Sequence, residues 1–207
     1  MTRVIGQTTD RSQSILQASI EAPPLERVRL LQNFLKIENR RLFSLHRGGA
    51  GGMEVAVARG AMLDALLHFI FLSLSRGCAS AQAEKNICLV ATGGYGRGEL
   101  NPFSDVDILF LLEHARGPDL AHINGVVEQV LYVLWDLGLK VGHATRTIRE
   151  CVDQARKDMQ SLTALLEARF LDGSQTIFTA FQKAILENCT GNSETARSYI
   201  ETRMKDQ

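Results

Sequence analysis

Apolar residues recur at helical intervals over residues 25–45, where Val28, Leu31, Leu35, Leu42 and Leu45 share one face. The run Gly48-Gly49-Ala50-Gly51-Gly52 breaks that pattern. A second helical stretch follows over residues 53–76, with Val57, Ala61, Ala65, His68 and Leu72 along one side and a stop at Gly77. The two predict a helical hairpin over residues 23–78, started by Pro23-Pro24. Residues 1–22 are polar and unpatterned, so a flexible leader is expected there.

The period then changes. Ile87-Cys88-Leu89-Val90-Ala91-Thr92 is a short apolar run that ends in Gly93-Gly94, the pattern of a buried strand entering a tight turn. Residues 105–112 predict a second strand with two carboxylates at its entrance. Residues 120–137 predict a helix that buries Ile123, Val127, Val130, Leu131 and Leu134. Residues 139–146 fit a third strand, after which Thr147 is placed to cap a helix beginning at Ile148. From there to the C-terminus the pattern is helical, with a turn near Asp172-Gly173. The expected class is α/β (α+β): a small mixed sheet flanked by helices in a core over residues 79–173. A helical extension over 174–207 ends in mid-pattern, as a truncated one would.

A length of 207 residues suits one catalytic-sized domain with an appendage. With 45% apolar and 22% charged residues, disordered and collagen-like readings are excluded. Lys plus Arg and Asp plus Glu both number 23, so no overall field draws the chain to nucleic acid or to an anionic membrane. The basic residues Lys36, Arg40, Arg41 and Arg47 read as a solvated helix face. Cys78, Cys88, Cys151 and Cys189 have neither zinc nor disulfide spacing and read as reduced thiols. The N-terminus has no signal-type apolar core. The longest apolar stretch, residues 61–74, is interrupted by Asp64 and His68 and falls short of the roughly 20 residues of a bilayer span. A cytoplasmic chain with no membrane contact is expected.

The chemistry gathers around the first two strands. Side chains alternate along an extended segment, so Asp105 and Asp107 point the same way while Val106 and Ile108 point inward. Two like charges that close repel unless a cation lies between them, and hard oxygen donors suit Mg²⁺ or Mn²⁺. Gly93 and Gly94 offer backbone without a Cβ at the start of a turn, where a nucleotide phosphate can approach. Ser104 is either a phosphate donor or a turn serine. Arg97 either meets a phosphate, pairs with Glu99 or lies in solvent.

A strand, Gly-Gly, a spacer and Asp-apolar-Asp opening the next strand resembles the nucleotidyltransferase superfamily that includes DNA polymerase β. The stretch Gly93-Gly94-Tyr95-Gly96-Arg97-Gly98-Glu99-Leu100-Asn101-Pro102-Phe103-Ser104-Asp105-Val106-Asp107-Ile108-Leu109 is similar to the bacterial PII-protein uridylyltransferase family. Leu134-Trp135-Asp136-Leu137-Gly138-Leu139-Lys140-Val141-Gly142-His143-Ala144-Thr145-Arg146-Thr147 and Leu165-Leu166-Glu167-Ala168-Arg169 extend the resemblance, the latter to a family helix. It implies a polymerase-β-like nucleotidyltransferase fold and transfer of UMP from UTP to a tyrosine of the PII nitrogen-signalling protein. It also implies Mg²⁺ or Mn²⁺ at Asp105 and Asp107, and nucleotide phosphate at Gly93 and Gly94. The family's HD phosphohydrolase and ACT domains have no room in 207 residues, so a transferase domain alone or a short relative is expected.

The superfamily's third carboxylate has no acidic counterpart in Lys140-Val141-Gly142-His143-Ala144. Either two carboxylates suffice or Asp158 or Glu167 completes the set. His143 reads as a structural histidine or, with Arg146, as part of the nucleotide site. His68 reads as a buried or boundary residue, and Trp135, at core spacing, as packing. Adenylyl transfer to another acceptor, and a nucleotide-binding regulatory module without turnover, would use the same motif.

Overall fold

A computed structural model describes residues 10–76, 86–114 and 120–190. Three helices lead the chain: α1 (Asp10–Glu21), α2 (Pro24–Arg47) and α3 (Gly52–Arg76). They are followed by β1 (Ile87–Ala91), the single helical turn α4 (Gly93–Gly96), β2 (Val106–Leu112), α5 (Leu120–Asp136) and β3 (Val141–Thr147). Helices α6 (Ile148–Lys157) and α7 (Met159–Leu166), strand β4 (Arg169–Gly173) and helix α8 (Gln175–Ile185) complete the order, α8 running into a π-helical turn at Leu186–Thr190.

The strands form one mixed sheet in the order β3-β2-β1-β4. Strand β1 runs antiparallel to β2, with Ile87 opposite Leu112 and Ala91 opposite Ile108, and antiparallel to β4. Strands β2 and β3 are parallel, joined across α5, with Asp107 opposite Gly142. Alternation sends Leu89, Ala91, Val106, Ile108 and Phe110 into one core with α1, α2, α3 and α5. Cys88, Val90, Leu109 and Leu111 enter a second core with α6, α7 and α8. Asp107 stands on this second face, at the end where β2 begins. Cys88 and Cys151 are free and buried in the second core, and burial pushes both thiols up to about 12.

Two expectations need correction. Instead of a flexible leader throughout residues 1–22, helix α1 occupies Asp10–Glu21 and buries Leu16 and Ile20. Its pattern is obscured because part of its inner face is polar: the Ser12 hydroxyl donates to the buried Glu38 carboxylate, which also takes the Arg41 Nε at 2.6 Å, and Ser19 bonds the Leu16 carbonyl. Arg41 is therefore not simply a solvated cation, unlike the exposed Lys36, Arg40 and Arg47.

The second correction lies after Thr147. The region is not helical throughout: Asp158 ends α6 in an extended conformation and caps α7 through Gln160 and Ser161, and Arg169–Gly173 is an edge strand. The Thr147 cap forms as expected, as a capping box with Glu150. Gly77, Cys78 and residues 191–207 lie outside the described residues, and the first nine residues do so too.

Helix α3 is long and apolar enough to cross a membrane over Gly52–Leu74, but 61% of that window is buried within the fold. Two of its polar residues are occupied by β4. Asp64 meets Arg169, and His68 Nδ1 meets Asp172 Oδ2 at 2.6 Å, which makes His68 the boundary residue its position suggested. The helix is a core element between α1, α2, α5 and β4.

Candidate active site

The site forms where β1 leaves the sheet and β2 enters it. Thr92 is extended and its N–H donates to the Asp107 carbonyl at 3.0 Å, tying the end of one strand to the start of the other. The chain then turns at Gly93, whose φ of 58° lies in the left-handed region that glycine adopts without strain. Gly96 N–H reaches back to the Thr92 carbonyl at 2.9 Å and Arg97 N–H to the Gly93 carbonyl at 3.3 Å, closing α4. No side chain of Thr92 caps this turn, so its first amides have no side-chain acceptor there.

The Asp107 carboxylate lies between this turn and β3. A Cβ on Gly93 would stand 3.3 Å from Asp107 Oδ2, and a Cβ on Gly142 would run into Oδ1. The parallel register thus needs a residue without a side chain at 142 to leave room for the acid at 107. A groove of about 340 Å³ opens beside it, lined among others by Thr92, Gly93, Asp107, Gly142, Arg146 and Ser161.

The charges here are unbalanced. Burial raises the Asp107 carboxyl above the ordinary aspartate range, and the neighbouring charge of Asp105 raises it further. Among the described residues neither acid makes an ion pair within 4 Å, and no group of three or more His, Cys, Asp or Glu side chains is placed to hold a metal. The half-buried Asp107, its ionisation opposed by the charge of the exposed Asp105 beside it, offers with that neighbour hard oxygen donors that are a chemical fit for a divalent cation.

The expected site residues are placed unevenly around this point. Gly93, Asp105 and Asp107 gather at the mouth of β1 and β2, while Gly94 faces the Glu99 carbonyl and the Arg97 guanidinium. Ser104 is exposed in the turn that precedes Asp105, its N–H on the Asn101 carbonyl at 3.1 Å. Arg97 pairs with Glu167 at 2.5 Å and lies 3.7 Å from Glu99. Of the two acids considered for a third position, Asp158 is occupied as the α7 cap and Glu167 by Arg97. His143 and Arg146 both belong to the lining of the groove. His143 pairs opposite Ile108, so its side chain leaves on the face away from Asp107 and meets Trp135 edge-on at 6.0 Å. Trp135 is 46% exposed, which corrects its reading as core packing.

Sequence reasoning missed Gly142 and Arg169. The Arg169 guanidinium binds both Asp64 oxygens, at 2.8 and 3.0 Å, and the carbonyls of Tyr95 and Gly96, at 3.1 and 3.2 Å. Burial works against its charge, but the hydrogen bonds and charge of Asp64 outweigh it, so its pKa is raised. Both residues fell within the segments that carried the family resemblance; neither stood beside the acids in sequence.

A profile of the nucleotidyltransferase domain matches residues 77–165. This stretch is a nucleotidyltransferase domain, and the four-stranded mixed sheet with its flanking helices has the polymerase-β-like architecture. The relatives are more particular. The bifunctional uridylyltransferase/uridylyl-removing enzyme of Caulobacter vibrioides is 38% identical over 162 residues, covering 76% of this chain and 17% of that protein. The enzyme of the same name from Azospirillum brasilense is 56% identical over 90 residues, 44% of this chain and 9% of that protein. A third, from Phenylobacterium zucineum, is 37% identical over 166 residues, 76% of this chain and 17% of its own. The chain therefore spans about a sixth of the length of these relatives, or less.

Proposed function

We propose that the chain transfers a nucleotidyl group with the help of a divalent metal, taking UMP from UTP and passing it to a tyrosine of the PII protein, with release of pyrophosphate, in the cytoplasm. The observation that carries the reading is the Asp105 and Asp107 pair set against an uncapped glycine turn, in a chain whose relatives are called uridylyltransferases. Asp105 and Asp107 would hold Mg²⁺ or Mn²⁺, which when bound neutralises triphosphate charge and favours departure of pyrophosphate. Gly93 and Gly94 admit phosphate oxygens to the backbone. Ser104 stands at the entrance to Asp105 as a further donor.

Arg97 contributes to phosphate binding only by leaving Glu167, a partly exposed pair that costs little to break. Arg146 supplies positive charge to the groove that Asp107 shares. The test is pyrophosphate release with Mg²⁺ or Mn²⁺ and each of the four nucleoside triphosphates, with and without PII. Release that needs UTP and PII is expected. Release with ATP and another acceptor would replace the proposed substrate, and metal-dependent UTP binding without release under any condition would make the chain a binding module.

A further inference from the structure

Ala56, Gly60, Asp64 and His68 follow one another at four-residue intervals on α3 and so form one stripe along the helix. Each meets the glycine loop or β4. The Ala56 carbonyl accepts the Leu100 N–H at 3.2 Å. Gly60 is so close to the loop that a Cβ there would stand 2.8 Å from the Gly98 carbonyl oxygen. Asp64 takes the two terminal nitrogens of Arg169, while the same guanidinium donates to the Tyr95 and Gly96 carbonyls and lies 5.5 Å from the centre of the Tyr95 ring. His68 closes the stripe on Asp172.

We propose that Arg169, held by Asp64, is a positioning residue for the triphosphate tail of the nucleotide, and that α3 thereby sets the affinity of a site it does not line. The inference rests on the nucleotidyl-transfer reading above. Peptide groups are planar, so fixing a carbonyl also fixes the N–H of the same peptide. The carbonyls that Arg169 binds belong to the peptides whose N–H groups, on Gly96 and Arg97, bond the Thr92 and Gly93 carbonyls. The hold on Arg169 is thus transmitted to the start of the turn, where Gly93 faces Asp107. Only a planar fork with several donors can serve a carboxylate and two carbonyls together. A lysine keeps the charge beside Asp64 but cannot span all three acceptors.

The experiment measures, on the 207-residue chain, the Kd of Mg²⁺-UTP and of Mg²⁺-tripolyphosphate, the tail without a base. All measurements are made at a temperature well below the Tm of every variant. The wild type binds both. Arg169→Lys weakens both by about ten- to a hundredfold, as displacement of positioned groups does. Asp64→Asn and Gly60→Ala weaken both in the same direction, and Leu35→Ala, remote from the loop, lowers Tm without changing either Kd.

Arg169→Lys binding both probes as the wild type does overturns the positioning role and leaves the nucleotide site standing. Tighter binding by Asp64→Asn also overturns it, since a guanidinium in direct contact with phosphate would gain from losing its carboxylate. A wild type that binds neither probe overturns the nucleotidyl-transfer reading itself, and this inference with it. Should Arg169→Lys fail to fold, Asp64→Asn and Gly60→Ala with unchanged Kd values are the outcome that sinks the proposal.

Discussion

Two pairs of aspartates in this molecule are treated in opposite ways. Asp64 and Asp172 sit between α3 and β4, each satisfied by a cationic or ionisable partner, Arg169 and His68, with polar distances of 2.6 to 3.0 Å. Asp105 and Asp107 sit at the other side of the same turn and have, among the described residues, no ion-pair partner but each other's repulsion. The first pair joins the helical layer to the sheet. In the second, ionised Asp107 resists folding and is kept in place by the backbone around it, by the Thr92 bond to its carbonyl and by a neighbour at 142 with no side chain. A carboxylate that the chain neutralises serves the frame; one that it leaves charged is reserved for something that arrives from outside.

The largest effect should come from Asp107→Asn. Pyrophosphate release falls to background, and the apo protein melts at a higher temperature than the wild type at neutral pH. The sign follows from the direction of the shift: the folded pKa lies above the unfolded one, so ionised Asp107 opposes folding. That penalty is absent below the ordinary aspartate range, grows as pH rises through the raised pKa and is complete above it. Melting curves across pH should therefore show the advantage of Asp107→Asn shrinking on acidification. Millimolar Mg²⁺ should raise the wild-type Tm and leave the variant's where it was. A variant less stable than the wild type at pH 7 would break the contrast between the two pairs.

Asp64→Asn should move in the opposite direction, losing about 2 kcal/mol because it strips a charge-assisted partner from a half-buried guanidinium. Asp172→Asn sharpens the same comparison at a smaller scale, about 1 kcal/mol, since both members of its pair are about a quarter exposed. Urea titrations would rank the two. The smallest effect belongs to the local cap of α6: Thr147→Ala should cost about 1 kcal/mol or less and a Tm drop of about 3 °C, with nucleotide affinity unchanged.

The readable parts of this chain are those in which neighbours in sequence are neighbours in space. Strand β1 is a continuous apolar run and β2 is one from Ile108 onward, α5 has an uninterrupted helical stripe, and Asp105 and Asp107 share a face by alternation alone. Helix α1 escaped because Ser12 and Ser19 occupy inward positions, Ser12 meeting Glu38 on another helix and Ser19 the Leu16 carbonyl of its own. Strand β4 escaped because five residues on a sheet edge are too few to display a period, and a bulge in its pairing with β1 disturbs what alternation there is.

The functional surroundings divide in the same way. Arg169 and Asp64 are 105 positions apart, and nothing short of the β1–β4 pairing brings them together. Gly142 looks like an ordinary strand glycine until the parallel register sets it opposite Asp107. Trp135 kept a core-like spacing while lying at the margin of the buried stripe of α5, where a shift of one residue decides between core and surface.

The two thiols of the second core, at Cys88 and Cys151, supply a clock. Thiolate, not thiol, attacks an alkylating reagent, and with both groups buried and shifted to about 12 almost none is present in the folded molecule at neutral pH. Modification at these two positions, located by peptide mapping, therefore counts excursions in which the sheet and helices α6 to α8 part company. Cys88 belongs to the central strand and Cys151 to the first helix on that face, so equal rates at the two would mean that this half of the protein opens as a unit, and a faster Cys151 would time the peeling of the helix alone.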